Sequence, residues 1–128
     1  MSHEDFEIKV IDVLLSGADP ELASLRAQHA AARVPSREWT GSGVFVHFDV
    51  PNEFPSTKIS NFHLGDVEMQ LAGAKTPAEA ILWMRNGRLS SLEYFVYEGE
   101  WPRNPEILTI SYFGGERDPD CVQRQLSA

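Results

Sequence analysis

The chain holds a single cysteine, Cys121, and only 11 basic side chains against 19 acidic ones. A lone cysteine closes no internal disulfide and builds no cysteine-rich zinc cluster. Its place in a polar tail, after GGERDPD, also argues against a buried nucleophile. The shortage of cations leaves a formal net charge of -8 across 128 residues. Such a surface repels phosphate backbones and anionic lipid and favours basic partners, so neither nucleic acid nor membrane is expected as a ligand.

Long apolar runs are missing too. Nothing approaches the ~20 consecutive apolar residues of a membrane span. The first thirty residues place acids inside an amphipathic pattern, without the basic start and apolar run of a secretory leader. A reducing cytoplasm is therefore the expected compartment. Also absent are a metal-binding H-E-x-x-H, a phosphate loop, a dinucleotide glycine pattern and a G-x-S-x-G elbow. The glycines of TGSG, Gly41 and Gly43, lead into a strand, whereas a phosphate cradle leads from a strand into a helix. They are read as permitting a bend or a close approach of strands. No cofactor and no metal site is expected, and these absences weigh against catalysis.

Apolar residues make up 42% of the chain and charged residues 23%, a balance that supports one sizeable core. The N-terminal part reads as two helices. Ser2 and Asp5 stand at capping-box spacing, and Phe6, Val10, Val13 and Leu14 recur on one helical face. Gly17 ends that helix, Asp19 caps the next, and Pro20 suits its first turn. ELASLRAQHAAAR then continues as an alanine-rich helix that Pro35 stops near Arg33.

Beyond it the period changes. TGSGVFVHFDVP alternates, with Val44, Val46, Phe48 and Val50 on one face of the first expected strand. ISNFHLGDVEMQLAG puts Phe62 and Leu64 on one parity and Val67, Met69 and Leu71 on the other, which implies a tight Gly65-Asp66 turn or a bulge; the turn is the favoured reading. Asn86-Gly87 specifies a type I′ hairpin. A tight register from it pairs Arg85 with Arg88, Met84 with Leu89, Trp83 with Ser90 and Ile81 with Leu92. Two opposed arginines suggest a solvated tip. EILTISYF supplies a last strand. The expected fold is α+β: two N-terminal helices packed on a curved antiparallel sheet of about five or six strands, one domain over 1–113, with a polar, flexible tail over 114–128.

Candidate functional residues come from the strand after the hairpin. Leu92, Tyr94 and Val96 share one face and Glu93, Phe95 and Tyr97 the other, so aromatics project from both sides. Glu93, Phe95, Tyr97, Glu98 and Trp101 together form a candidate acidic and aromatic patch for a basic protein partner, the alternative being that EGEWP is only a turn in which Trp101 folds over the core edge. A second set, Asp66, Glu68, Glu93 and His47, would serve a small ligand or acid-base chemistry on a concave sheet face. His63, between Phe62 and Leu64, is read as a solvent-facing strand histidine.

GSGVFVHFDVP, FHLGDVEMQLAG, NGRLSSLEYFVYEGEWP and the final ISYF together resemble a family of small uncharacterised bacterial proteins. Its pattern is a T-G-x-G strand, an F-x-x-G-D-V segment, an N-G hairpin with L-E-x-y-x-Y, and a following W-P. The resemblance runs from Leu14 to Phe113 and implies no catalytic residue. The expected function is a non-catalytic cytoplasmic protein-binding domain, similar in type to acidic immunity proteins. Beside it stand a ligand-binding module or enzyme using the carboxylate set, and a homodimer formed through a strand edge or the same surface.

Overall fold

A computed structural model describes residues 2–126. Helices α1 (His3–Leu14) and α2 (Pro20–Ala31) precede strands β1 (Arg33–Trp39), β2 (Gly43–Asp49), β3 (Phe62–Leu71), β4 (Ala78–Arg85), β5 (Arg88–Val96) and β6 (Ile107–Tyr112), and a short α3 (Gln123–Leu126) follows. The strands form one six-stranded antiparallel sheet in the order β1-β2-β5-β4-β3-β6. Helices α1 and α2 lie on one face, α1 against β3 and β4 and α2 against β5. This is the α+β arrangement that the two periodicities predict.

The caps form as the sequence implies. Ser2 Oγ accepts from the Asp5 amide at 3.1 Å, and Asp19 Oδ1 accepts from the Glu21 amide at 2.8 Å ahead of Pro20. Arg26 secures the corner between the helices by donating to the Leu15 carbonyl at 2.6 Å and the Gly17 carbonyl at 3.1 Å, two acceptors that the end of α1 leaves free. Phe6, Val10, Ile11 and Leu14 of α1, with Leu22 and Leu25 of α2, are buried against Val44, Val46, Leu82, Leu92 and Tyr94 of the sheet. Ala78 and Ala80 keep the facing surface of β4 low, which admits the helices closely.

Four features depart from the sequence reading. First, α2 runs directly into β1, an exposed edge strand with few apolar residues to announce it. Its Pro35 falls at a register break between Arg33 and Ser36, a place where a missing donor costs nothing. Second, Gly65-Asp66 is a bulge within a continuous β3, with the register to β4 shifting between Leu64 and Val67. The extra residue returns Val67, Met69 and Leu71 to the face that holds Phe62 and Leu64, and all five side chains are buried.

Third, the hairpin keeps its turn but shifts its register. Asn86 and Gly87 have φ of 55° and 73°, yet a bulge in β5 pairs Trp83 with Ser91, Leu82 with Leu92 and Ile81 with Glu93. Leu89 and Leu92 lie three apart and both enter the core, which a regular strand cannot accomplish. The tip is not fully solvated either. The 50–61 connection crosses beneath it, receiving a bond from Gly87 N at the Ser60 carbonyl (2.5 Å) and giving one from Thr57 N to the Gly87 carbonyl (2.8 Å). Arg88 turns away from Arg85 and donates to the carbonyls of Phe54 and Pro51.

Fourth, the expected flexible tail folds back, as far as the described residues go; 127–128 lie outside them. Strand β6 pairs only with Val67–Leu71, leaving the first half of β3 as a free edge. Gln125 meets that edge, its amide bonding both the N–H and the carbonyl of His63, while Val122 is buried in the core. Arg117 reaches Ser16 of the helical corner at 2.7 Å.

Candidate functional site

The second face of the sheet carries neither α1 nor α2, and alternation decides what projects from it. Opposed residues run across the strands in rows. One reads Ser36, His47, Ser91, Trp83, His63; the next reads Glu38, Phe45, Glu93, Ile81; a third reads Phe95, Glu79, Glu68, Ser111. The side chains of Phe45, Glu68, Glu79, Ile81, Glu93 and Phe95 are half-buried, and Trp83 is 39% exposed. Carboxylates and apolar groups therefore interleave over the middle of an uncovered sheet.

Glu68, Glu79 and Glu93 step across β3, β4 and β5 and have no ion-pair partner among the described residues. Glu68 and Glu79 are directly opposed, an arrangement that costs stability for like charges. Tyr97, 70% exposed at the end of the face, has its phenol pKa raised chiefly by the neighbouring Glu79 carboxylate. Its ring meets Phe95 edge to face at 5.4 Å.

The proposed patch residues divide. Glu93, Phe95 and Tyr97 share this face, and Glu98 is exposed in the turn just beyond β5. Trp101 does not belong with them. It is 7% exposed and packs into the core with its ring 4.8 Å from Tyr94 and 5.2 Å from Phe6. Its backbone amide is held by the Gly41 carbonyl at 2.9 Å, so the chain after β5 straps the ring over the core edge.

The carboxylate set is not brought to one point. Asp66 is engaged by Arg117 through a two-pronged pair, Nη2 to Oδ1 at 2.8 Å and Nε to Oδ2 at 3.1 Å. Glu68 and Glu93 sit two strands apart, roughly 10 Å in the sheet direction, with β4 between them. His47 Nε2 lies 3.3 Å from Glu38 Oε1, close enough for an ion pair when protonated but off line for a hydrogen bond. Among the described residues no group of three or more His, Cys, Asp or Glu is placed to hold a metal ion. No helix among them is long and apolar enough to cross a membrane.

Sequence reasoning missed Phe45, Glu79, Ile81 and Trp83 as members of this face. For the three on β4 the signal was the alternation of AEAILWMR, in which Glu79, Ile81, Trp83 and Arg85 share one parity, and for Phe45 it was that of GVFVHFD, in which Phe45 and His47 oppose Val44 and Val46. A groove of about 600 Å³ opens among Phe45, Ser91, Trp83, His63 and Glu93. Two small serines, Ser90 and Ser91, form its low ground between taller rings. The Trp83 and His63 rings lie 5.1 Å apart with a 39° tilt, making one aromatic wall.

A buried polar cluster under the opposite face is structural. Glu7 of α1 accepts from Tyr94 Oη at 2.7 Å and from Arg37 Nη2 at 2.6 Å and Nε at 3.0 Å, tying a helix to an edge strand and a central strand. No protein-family model matches the chain, and neither the curated proteins nor the solved structures compared with it yield a match.

Proposed function

We propose that the chain is a non-catalytic, cytoplasmic protein-binding domain that receives a basic partner on the open face of its sheet, in the manner of acidic immunity proteins. The observation that carries this reading is the line Glu68, Glu79, Glu93, which forms no ion pair among the described residues and is interleaved with Phe45, Ile81 and Phe95. Opposed carboxylates cost roughly 0.2–1 kcal/mol per pair in the free protein. A partner's lysines or arginines would turn that cost into attraction, while the rings supply contact area.

Self-association through the same face is less well supported. A two-fold axis through it would set carboxylates against carboxylates. The engagement of Asp66 by Arg117 likewise weakens the ligand or enzyme reading. The test is affinity capture from cells of the source organism with the wild type and with a Glu68→Lys, Glu79→Lys, Glu93→Lys triple variant. The expected result is a basic protein retained by the wild type, released by salt and absent from the variant. Retention by the variant, or capture of no basic protein, sinks the proposal.

A further inference from the structure

We infer that the groove over Ser90 and Ser91 is the seat of an arginine side chain supplied by the partner. This rests on the partner reading above and adds where, and through which side chain, the partner is anchored. The groove is long enough for a side chain and is not lined by acids alone. Its walls are the Trp83–His63 pair and Phe45, and its single carboxylate is Glu93. Glu93 accepts no hydrogen bond among the described side chains and forms no ion pair there.

The register explains why a depression exists at this spot. Ser91 stands between His47 and Trp83 in one row, and Glu93 between Phe45 and Ile81 in the next. The β5 bulge places two consecutive serines there, so the floor drops while the flanking strands keep bulky residues. A flat cation fits that outline. A guanidinium can lie against an indole face and pair with a carboxylate edge, and its weak hydration makes leaving water inexpensive. A lysine ammonium is more compact and more strongly hydrated, and it cannot make the two-pronged contact.

Arg85 lines the other end of the groove. It lies four residues along β4 from Ile81, the residue opposite Glu93, or about 13 Å along the strand. Charge within the groove is therefore polarised, acidic toward the centre of the sheet and basic toward the hairpin tip. An incoming guanidinium is drawn to Glu93 and repelled from the tip, which sets the direction in which the partner's side chain lies.

The probe is N-acetyl-arginine amide, titrated at low salt into isotope-labelled protein and followed by NMR. N-acetyl-citrulline amide serves as the neutral planar analogue and N-acetyl-lysine amide as the other cation. Saturable shifts are expected at the Trp83 indole and at the Ser91 and Glu93 amides with arginine, at least about five-fold weaker binding with lysine, and no saturation with citrulline. Glu93→Gln should weaken arginine binding about ten-fold or more, and Ser91→Leu should fill the floor and abolish it.

Equal binding of citrulline or lysine, unchanged affinity in Glu93→Gln, or shifts centred elsewhere would overturn the inference. Should Ser91→Leu fail to fold, Glu93→Gln and the citrulline control still decide it. Partner capture lost in the triple lysine variant but intact in Ser91→Leu would remove the arginine seat and leave the partner reading standing. Saturable arginine binding without any captured basic protein would do the reverse.

Discussion

Glu68 on β3 and Glu79 on β4 are directly opposed on the open face of the sheet, with Ser111 and Phe95 as their outer neighbours and no cation between them. A fold under selection for stability alone has reason to avoid such a pair. Glu68→Lys is therefore expected to stabilise the free protein by about 0.5–1 kcal/mol while weakening capture of a basic partner. Urea midpoints measured at low and high salt check this, because added salt should narrow the gap. A loss of stability in the variant would mean that the two carboxylates are not in conflict.

The cluster Glu7, Tyr94 and Arg37 makes the opposite prediction. Tyr94→Phe removes one bond to a buried carboxylate and should cost about 2 kcal/mol. Glu7→Ala strands both partners and should cost about 3 kcal/mol, softened because Arg37 can reach solvent. Burial first, and then the bond to Glu7, hold the Tyr94 phenol protonated far above its ordinary range. Its raised folded pKa means that this contribution is whole below the unfolded value near 10 and is lost as pH rises beyond it. The stability difference between wild type and Tyr94→Phe should accordingly narrow in alkali, as chemical denaturation across that range will read.

On the acid side the histidines act. His29, packed near Phe48, and His3 both have pKa values lowered chiefly by burial, opposed by Asp12 at His29 and by Glu7 at His3. A depressed folded pKa gives stability that is present above the unfolded value near 6.5 and lost as pH falls through the folded one. Melting temperature should fall between neutral pH and mild acid, and His29→Gln should make the slope shallower. An unchanged slope in that variant would exclude His29 as a contributor.

Gln28 holds the hairpin tip from below. Its amide donates to the carbonyls of Pro55 and Gly87, at 3.0 and 3.1 Å, and accepts from the Leu89 amide at 2.9 Å. Gln28→Leu leaves the buried Leu89 amide without a partner, while the Gly87 carbonyl keeps its bond from Thr57 N, and should cost about 2 kcal/mol. Amide hydrogen exchange should quicken at Leu89 by more than about ten-fold, ahead of the rest of β5.

Two nearby glycines should respond differently. A Cβ at Gly43 would stand 2.1 Å from the Tyr94 carbonyl oxygen, whereas at Gly41, with φ of 86°, it would meet nothing within 4 Å. Gly43→Ala must therefore push β2 from β5 and should cost about 3 kcal/mol or more. Gly41→Ala bears only left-handed backbone strain of about 1–2 kcal/mol. Comparable denaturation midpoints for the two would show that the strand pair can yield.

Much of this molecule is local enough to be read before it is folded. Ser2 and Asp19 announce helix starts because their side chains cap free amides within three residues. Asn86-Gly87 announces a turn because few other pairs tolerate two positive φ values. The bulge at Gly65-Asp66 was legible only as a fork. Turn and bulge both explain the switch of parity, and the choice depends on β4 pairing with both halves of β3. Trp101 was a second fork: aromatic residues after a strand look alike whether they face solvent or fold back, and Tyr94 and Phe6, which shelter this one, are distant in sequence.

Alternation, capping and turn chemistry determined by themselves that two helices precede an antiparallel sheet, since each acts over a few residues. Only the tertiary structure decided which side of that sheet stays open. Strands β2, β4 and β5 carry apolar residues on both faces, and two helices can cover only one of them. The bulges in β3 and β5 then set which parity goes under the helices. That choice left Phe45, Trp83 and Phe95 outside, among carboxylates, while it drew Trp101 in.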